Sequence, residues 1–277
     1  MLSTSLILLI VNLVVSYIGL TNRNFFHKYE FEVEKVLVYR DYKRLVTAGF
    51  LHVSWWHLGF NMLALYSFGD HVEYSLGVGK FLLIYFTSLV GGNLFSLLIH
   101  RRDGDYTAVG ASGAISGIIF ASIALFPGMS ISFFGLIPMP AWLFGLLYVL
   151  ISIYGIRSRS DNIGHDAHLG GGLVGMVLAI ALDPAVLSEN LLPILCVAIP
   201  SAIFLYIIAT RPHFLLVDSQ FSRTHAKGLT IDQRYNLEMR EKQEEVDRIL
   251  EKIHRKGMAS LTQAERKLLD EYSREKK

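Results

Sequence analysis

Two polar residues stand out because each lies among glycines inside a segment that is otherwise apolar. Ser112 lies in the run Gly110–Gly117 (GASGAISG), and His168 lies in the run Gly164–Gly175 (GHDAHLGGGLVG). A serine hydroxyl becomes an effective nucleophile when a neighbouring imidazole accepts its proton. The two residue types therefore indicate a base-activated nucleophile, if the fold brings them together. For Ser112 taken alone, the competing interpretation is close helix packing, since small residues let helix backbones approach.

The spacing of the glycines predicts how two helices would bring these side chains into contact. Gly113 and Gly117 give the first helix a small-residue face beside Ser112. One stripe of the second helix, at positions i, i+3, i+4 and i+7, consists of His168, Gly171, Gly172 and Gly175. Docking of the two faces would place the hydroxyl and the imidazole within hydrogen-bond distance. Asp166 would point away from His168, which favours a Ser–His dyad over a triad.

A second group of polar residues lies in another apolar segment. His57 and Asn61 are one turn apart and share a helix face, and His52 lies just before them. Polar groups inside a membrane are costly and mark candidate functional sites, although each taken alone fits an interhelical hydrogen bond. A histidine metal site is the other alternative, built from His52, His57, His165 and His168. It is disfavoured because HExxH is absent and few acids lie nearby, so we expect no metal and no cofactor.

Long uncharged segments predict the fold class. The chain of 277 residues is 52% apolar and has a mean hydropathy of +0.40. A bilayer span takes about 20 mostly apolar residues, and the uncharged run 106–156 is long enough for two spans around a turn at 126–128. The pattern predicts an all-α, polytopic helical membrane protein. Its seven helices are expected at about 2–20, 53–69, 81–99, 110–125, 138–156, 166–182 and 191–209.

The charged residues are concentrated after residue 210, which predicts two domains. Residues 211–277 hold 15 of the 26 Lys and Arg residues and 12 of the 24 Asp and Glu residues. We expect a membrane domain over 1–210 and a charged amphipathic helical tail over 211–277. The tail is predicted to be a helical hairpin, with apolar residues at helical spacing over 231–256 and a capping box at Thr262–Glu265. A solvated appendage is favoured over an unknown partner's binding site, and the balanced charge argues against nucleic acid.

Three motifs, in order along the chain, resemble those of the rhomboid family of intramembrane serine proteases. Gly110–Gly113 (GASG) resembles the family's GxSG, and Ala167–Gly175 (AHLGGGLVG) resembles its AHxxGxxxG. The segment 50–61 (FLHVSWWHLGFN) resembles its second-helix signature of two histidines and an asparagine. A GxSG motif alone is weak evidence for the family, but the three motifs together are specific to it. The resemblance covers about residues 1–185 and implies a six-helix core, to which the seventh helix and the tail are additions.

The resemblance implies hydrolysis of peptide bonds within the bilayer, in transmembrane protein substrates. Ser112 would be the nucleophile and His168 the general base. The side chains of His57 and Asn61, with the backbone N–H of Ser112, would form the oxyanion hole. Structural roles are implied for Gly110, Gly113, Gly117, Gly171, Gly175, Arg44 and His52. The alternative is a catalytically silent relative that binds or escorts membrane proteins, and a transporter is disfavoured because no internal symmetry is evident.

Two positions depart from the family pattern. Lys43 stands where many members have an aromatic residue before the arginine, here Arg44, so the anchoring of the loop 21–44 is expected to differ. Ser116 stands where some members stack a tyrosine on the histidine. The packing of the His168 ring must then come from elsewhere.

Charge and resemblance predict opposite orientations in the membrane. With seven spans, the side shared by 21–44, 100–109 and 157–164 carries ten Lys and Arg residues, against Lys80 alone on the other side. The positive-inside rule places those loops in the cytoplasm, whereas rhomboids of bacterial inner membranes usually turn the catalytic side outward. We expect a multi-pass protein of the cell membrane, in bacteria the inner membrane, with an outward active site. The side of the tail is left open.

Overall fold

The computed structural model describes residues 2–133, 137–158 and 164–210, with eight positions of the tail: 246, 249, 252, 253, 261, 262, 265 and 269. The chain divides into two compact units, residues 1–217 and 218–277. The domain boundary expected at 210 stays a prediction, because it adjoins residues outside the described ranges. So does most of the predicted tail hairpin.

Helices dominate the first unit, and two short antiparallel strand pairs, β1–β2 and β3–β4, accompany them. The elements in chain order are α1 (Thr4–Thr21), α2 (Arg23–Tyr29), β1 (Phe31–Glu32), α3 (Val33–Leu37), α4 (Arg44–Thr47), a 3₁₀ turn (Ala48–Phe50), α5 (Trp55–Leu76), α6 (Val78–His100), β2 (Thr107–Ala108), α7 (Ser112–Leu125), β3 (Ser130–Phe133), β4 (Ile137–Pro140), α8 (Ala141–Ser158), α9 (His165–Leu182), α10 (Ala185–Glu189) and α11 (Leu191–Thr210). The long helices α1, α5, α6, α7, α8, α9 and α11 correspond to the seven predicted ones.

The described helices have the length and composition of membrane spans in four cases: α1, α6, α9 and α11. The apolar helix α7 and the apolar stretch Ala141–Ile156 of α8 are shorter. With 14 residues, α7 is about 21 Å long, less than the hydrocarbon core of about 30 Å. Every residue from Gly113 to Leu125 is buried, so α7 is surrounded by protein and need not match the bilayer. The prediction of a polytopic helical membrane protein is confirmed.

The predicted end of the second long helix is wrong. The helix predicted to end at about residue 69 continues as α5 to Leu76, and Gly77, with φ of +83°, alone separates it from α6. The acids of this segment face the start of α1. The Glu73 carboxylate accepts from the backbone N–H of Thr4 at 2.8 Å and of Ser5 at 3.2 Å. Such acceptors satisfy the N–H groups that the start of α1 leaves unpaired. This contact with α1 stabilises the helical conformation of residues 70–76, so α5 continues through them.

Close approach of three helices builds the core of the first unit. A Cβ added to Gly171 of α9 would collide with the Gly113 carbonyl of α7 and lie 2.9 Å from the Ser88 carbonyl oxygen of α6. A Cβ on Gly175 would collide with the backbone of Gly117. The predicted contact between the two glycine faces is therefore present. Gly92 of α6 adds a third small position, 2.5 Å from the Ala167 carbonyl by the same measure.

The segment 21–44, predicted to be a loop, contains short helices and is folded around one buried arginine. Arg44 donates to the backbone carbonyls of His27 at 3.0 Å and Glu30 at 2.6 Å, and to Asp41 at 3.0 Å. Burial acts to raise the pKa of Asp41, but hydrogen bonds from Arg44 and Lys43 hold that pKa below its usual value. Arg44 thus ties α2, β1 and α4 together.

The described positions of the tail include the predicted capping box. Glu265 accepts from the backbone N–H of Thr262 at 2.7 Å, and the Thr262 hydroxyl accepts from the Glu265 N–H at 3.3 Å. Lys252 donates to the same carboxylate at 2.8 Å, and these contacts hold the pKa of Glu265 at about 2. The three buried apolar positions here are Val246, Ile249 and Leu261.

Candidate active site

Ser112 is the first residue of α7 and is preceded by a backbone turn that only glycine adopts easily. Gly110 has φ of +131°, and its N–H donates to the Ala48 carbonyl at 3.0 Å. A residue with a Cβ is strained in that conformation. The turn presents the Ser112 side chain at the helix N-terminus, where backbone N–H groups lack intrahelical partners.

The hydroxyl of Ser112 lies 2.6 Å from Nε2 of His168. His168 is in the first turn of α9 and is 9% exposed. The two side chains come from α7 and α9, whose glycine faces meet directly below them. The hydrogen bond that this docking predicted is present, and the geometry suits proton transfer from the hydroxyl to the imidazole.

A tyrosine that sequence reasoning missed packs on the histidine. The ring of Tyr148 lies 6.0 Å from the His168 ring, with 19° between their planes. Its hydroxyl is 2.7 Å from Ser116 Oγ, and Ser116 donates to the Ser112 carbonyl at 2.7 Å. Because Ser116 uses its single proton there, the Tyr148 hydroxyl donates to Ser116. The only sequence signal for Tyr148 was a hydroxyl-bearing ring in a long uncharged segment.

Asp166 does not contact the reacting groups of the dyad. Its carboxylate lies 3.3 Å from Nε2 of His100, at the end of α6. The His165 ring meets the His168 ring edge-on, with centroids 5.6 Å apart. Among the described residues, no three His, Cys, Asp or Glu side chains are grouped so as to hold a metal.

The candidate oxyanion residues occupy different positions relative to Ser112. The ring of His57, in the first turn of α5, packs on the turn before Ser112. A Cβ built on Gly110 would lie 3.0 Å from His57 Nε2. Asn61 instead donates its amide to the His57 carbonyl at 2.9 Å. The structure thus brings His57 to the turn before Ser112 and directs one Asn61 N–H along its own helix.

His52 is a structural link beside this group. Its Nδ1 lies 2.8 Å from the Ser16 hydroxyl, which donates to the Phe50 carbonyl at 2.9 Å. The His52 ring meets the His57 ring at 4.9 Å, nearly edge-on. His52 therefore connects α1 to the segment that positions His57, and the described contacts do not join it to Ser112.

The comparisons with known proteins agree with this architecture. A family model described as the rhomboid domain matches residues 39–184. A second model, for a family of unknown function (DUF6576), matches residues 229–275 of the tail.

Three relatives illustrate the similarity. Rhomboid protein 1, mitochondrial, of Saccharomyces cerevisiae is 34% identical over 56% of this chain and 47% of its own length. Rhomboid protease GluP of Bacillus subtilis is 28% identical over 84% of this chain and 42% of its own length. The chain thus spans less than half the length of these two relatives. Rhomboid protease AarA of Providencia stuartii is 33% identical over 63% of this chain and 70% of its own length. With a rhomboid-domain match over more than half of its residues, and a helical fold that seats a serine against a histidine, this chain belongs to the rhomboid family.

Proposed function

We propose that this protein is an intramembrane serine endopeptidase that cleaves transmembrane segments with a Ser112–His168 dyad. The observation that carries the proposal is the 2.6 Å contact between Ser112 Oγ and His168 Nε2. Family membership and the protease names of two relatives, GluP and AarA, support protease activity in general.

In the proposed reaction, Ser112 Oγ attacks the scissile carbonyl carbon while His168 Nε2 accepts the hydroxyl proton. A tetrahedral intermediate with a negative oxygen forms. Its collapse breaks the C–N bond, and His168 gives the proton to the leaving amine. Water then attacks the ester carbonyl on Ser112, with His168 again accepting and returning a proton.

The developing oxyanion needs donors aimed at its position. The proposed donors are the Ser112 backbone N–H, at the start of α7, and the His57 side chain, which packs beside Gly110. Asn61 would contribute its amide, which has a second N–H besides the one that contacts the His57 carbonyl.

The proposed substrates are transmembrane proteins, and the bilayer is their shared medium. A helix in lipid has all its backbone groups internally hydrogen-bonded, so it must unwind before its carbonyl can reach Ser112. Substrates with helix-breaking residues near the cleavage site are therefore favoured.

For the location, we propose the inner membrane of a bacterium, with the active site facing outward. The described helices support a multi-pass membrane protein. AarA of Providencia stuartii is a bacterial relative, which supports a bacterial membrane, while the yeast relative is named as mitochondrial.

The decisive experiment reconstitutes the purified protein with a panel of tagged single-span substrates. Ser112→Ala and His168→Ala should each abolish cleavage while the protein still inserts and folds. Because the pair acts as a unit, the double variant should be little worse than either single one. Robust cleavage by Ser112→Ala would contradict the serine mechanism. A folded wild type that cuts no substrate but retains them in pull-downs would favour the silent, substrate-binding alternative.

A further inference from the structure

A buried acid lies beside the proposed general base without touching it. Asp166, two residues before His168, is 5% exposed. Its Oδ2 faces His100 Nε2 at 3.3 Å, across the gap between α9 and α6. A buried carboxylate is costly unless a partner offsets its charge, and His100 is placed to do so when protonated.

The His100 ring is in turn held by the loop that leads to the nucleophile. It stacks on Tyr106 with centroids 3.6 Å apart and 4° between the planes. The Tyr106 hydroxyl accepts from Ser96 at 3.3 Å, and its carbonyl accepts from the Val33 N–H at 3.1 Å. Burial, and then the Asp166 carboxylate, raise the pKa of Tyr106, so this ring stays neutral. One cluster therefore joins the end of α6, the loop before Ser112 and the first turn of α9.

The proposed reaction creates a need for negative charge at this point. When His168 takes the Ser112 proton, a buried imidazolium forms, and a dyad has no hydrogen-bonded acid to stabilise it. The Asp166 carboxylate lies in the same first turn of α9, two residues before His168, and is the acid that this turn supplies. The other groups against the His168 ring, His165 and Tyr148, carry no negative charge of their own.

We propose that Asp166 is a positioning residue for His168. Paired with His100, it fixes the first turn of α9 against Ser112 and stabilises the imidazolium that forms during hydrolysis. The inference rests on the proposed protease function and adds a charged pair outside the dyad to it.

The test compares Asp166→Asn, which keeps the size and removes the charge, with Asp166→Glu, which keeps the charge. Rates are normalised to active sites counted by complete labelling of Ser112 with a fluorophosphonate. Asp166→Asn should lower kcat by about 10- to 100-fold, because the nearby charge that stabilises the imidazolium is lost, with KM nearly unchanged. Asp166→Glu should recover most of that loss.

His100→Gln should lower kcat in the same direction, and Asp166→Asn/His100→Gln should be no slower than Asp166→Asn alone. Asp105→Asn removes an exposed acid from the neighbouring loop and should leave kcat unchanged.

Three results would overturn the inference. Asp166→Asn could keep the wild-type kcat per labelled site, or it could lose only thermal stability and folded fraction. The third result is that Asp166→Asn and His100→Gln lower kcat additively. If the folded wild type neither reacts with the fluorophosphonate nor cleaves substrate, the proposed function fails and this inference falls with it.

Discussion

At the scale of single residues, Ser112 belongs to a chain of contacts that continues beyond its partner histidine. Ser116 donates to the Ser112 carbonyl, Tyr148 donates to Ser116, and the Tyr148 ring packs on His168. These contacts lead from Ser112 back to His168, so Tyr148 holds the His168 ring in the orientation that points Nε2 at the Ser112 hydroxyl. Tyr148 thus takes the place of the tyrosine that some family members carry where this chain has Ser116.

Replacement of Tyr148 separates its ring from its hydroxyl. Tyr148→Phe loses the hydrogen bond to Ser116 but keeps the ring, so we expect about 1 kcal/mol of destabilisation and nearly unchanged kcat. Tyr148→Ala also loses the packing on His168, and kcat should fall clearly. Thermal unfolding and steady-state kinetics on the same preparations measure both effects. Equal kcat in the two variants would show that the ring does not hold His168.

The donors to the oxyanion are tested by removing them one at a time. His57→Ala and Asn61→Ala should each lower kcat by about 10²–10³ if each donates to the intermediate. Asn61→Asp is the size-matched variant, because its ionised carboxylate keeps the acceptors and removes the N–H donors. If instead thermal stability falls while kcat of the folded fraction is unchanged, the two residues serve packing, as the Asn61 contact with the His57 carbonyl alone would suggest.

At the scale of elements, the site depends on how closely α6, α7 and α9 approach one another. An added Cβ would meet the backbone of a neighbouring helix first at Gly92, Gly171 and Gly175, and the Ser88 side chain first at Gly117. Backbone cannot rotate out of the way as a side chain can, so one added methyl group must separate the helices. The separation would be transmitted to the dyad, whose two members lie on different helices.

Gly175→Ala is therefore expected to destabilise the protein by about 1–3 kcal/mol, the usual cost of overpacking, and to lower kcat by displacing His168 from Ser112. The matched control is Gly79→Ala on α6, where an added Cβ meets nothing within 4 Å. That substitution should be neutral or slightly stabilising, since Ala favours helix. Unfolding in detergent and kcat per folded molecule provide the readouts. A neutral Gly175→Ala would argue against backbone contact there.

At the scale of the whole molecule, the N-terminal ends of α7 and α9 meet through Ser112 and His168, so both open on one side of the membrane. The loops on that side carry most of the basic residues outside the tail. The positive-inside rule and the proposed outward active site therefore disagree. Many of these charges belong to 21–44, where Arg44 is buried in local hydrogen bonds and Lys43 pairs with Asp41. The buried Arg44 is therefore a weaker topological signal than an exposed charge, whereas the Lys43 side chain remains 56% exposed.

Cysteine labelling with a membrane-impermeant reagent measures the sidedness, after replacement of Cys196, the single cysteine. Asp103→Cys, in the loop before α7, should react in intact cells if the active site faces outward. Reaction only after lysis would place the active site in the cytoplasm. Ser273→Cys reports the side of the tail in the same assay.

The sequence by itself determined the membrane class, the number of long helices and their approximate bounds. These features depend on the length of apolar segments, which the thickness of the bilayer fixes. It also determined the glycine faces and the tail's capping box, because both arise from residues a few positions apart. The motifs, read together, indicated the family, which the rhomboid-domain match confirms.

Only the tertiary structure decided features whose partners are distant in the chain. The end of α5 was mispredicted because the acceptor Glu73 serves Thr4, 69 positions earlier. The tyrosine on His168 could not be identified because Ser116 and Tyr148, 32 positions apart, lie on different helices. The sequence indicated no role for Asp166, because its partner His100 lies on α6, 66 positions earlier in the chain. Local pattern encodes which face of a helix is small or apolar, but the packing of helices decides which polar groups meet across those faces.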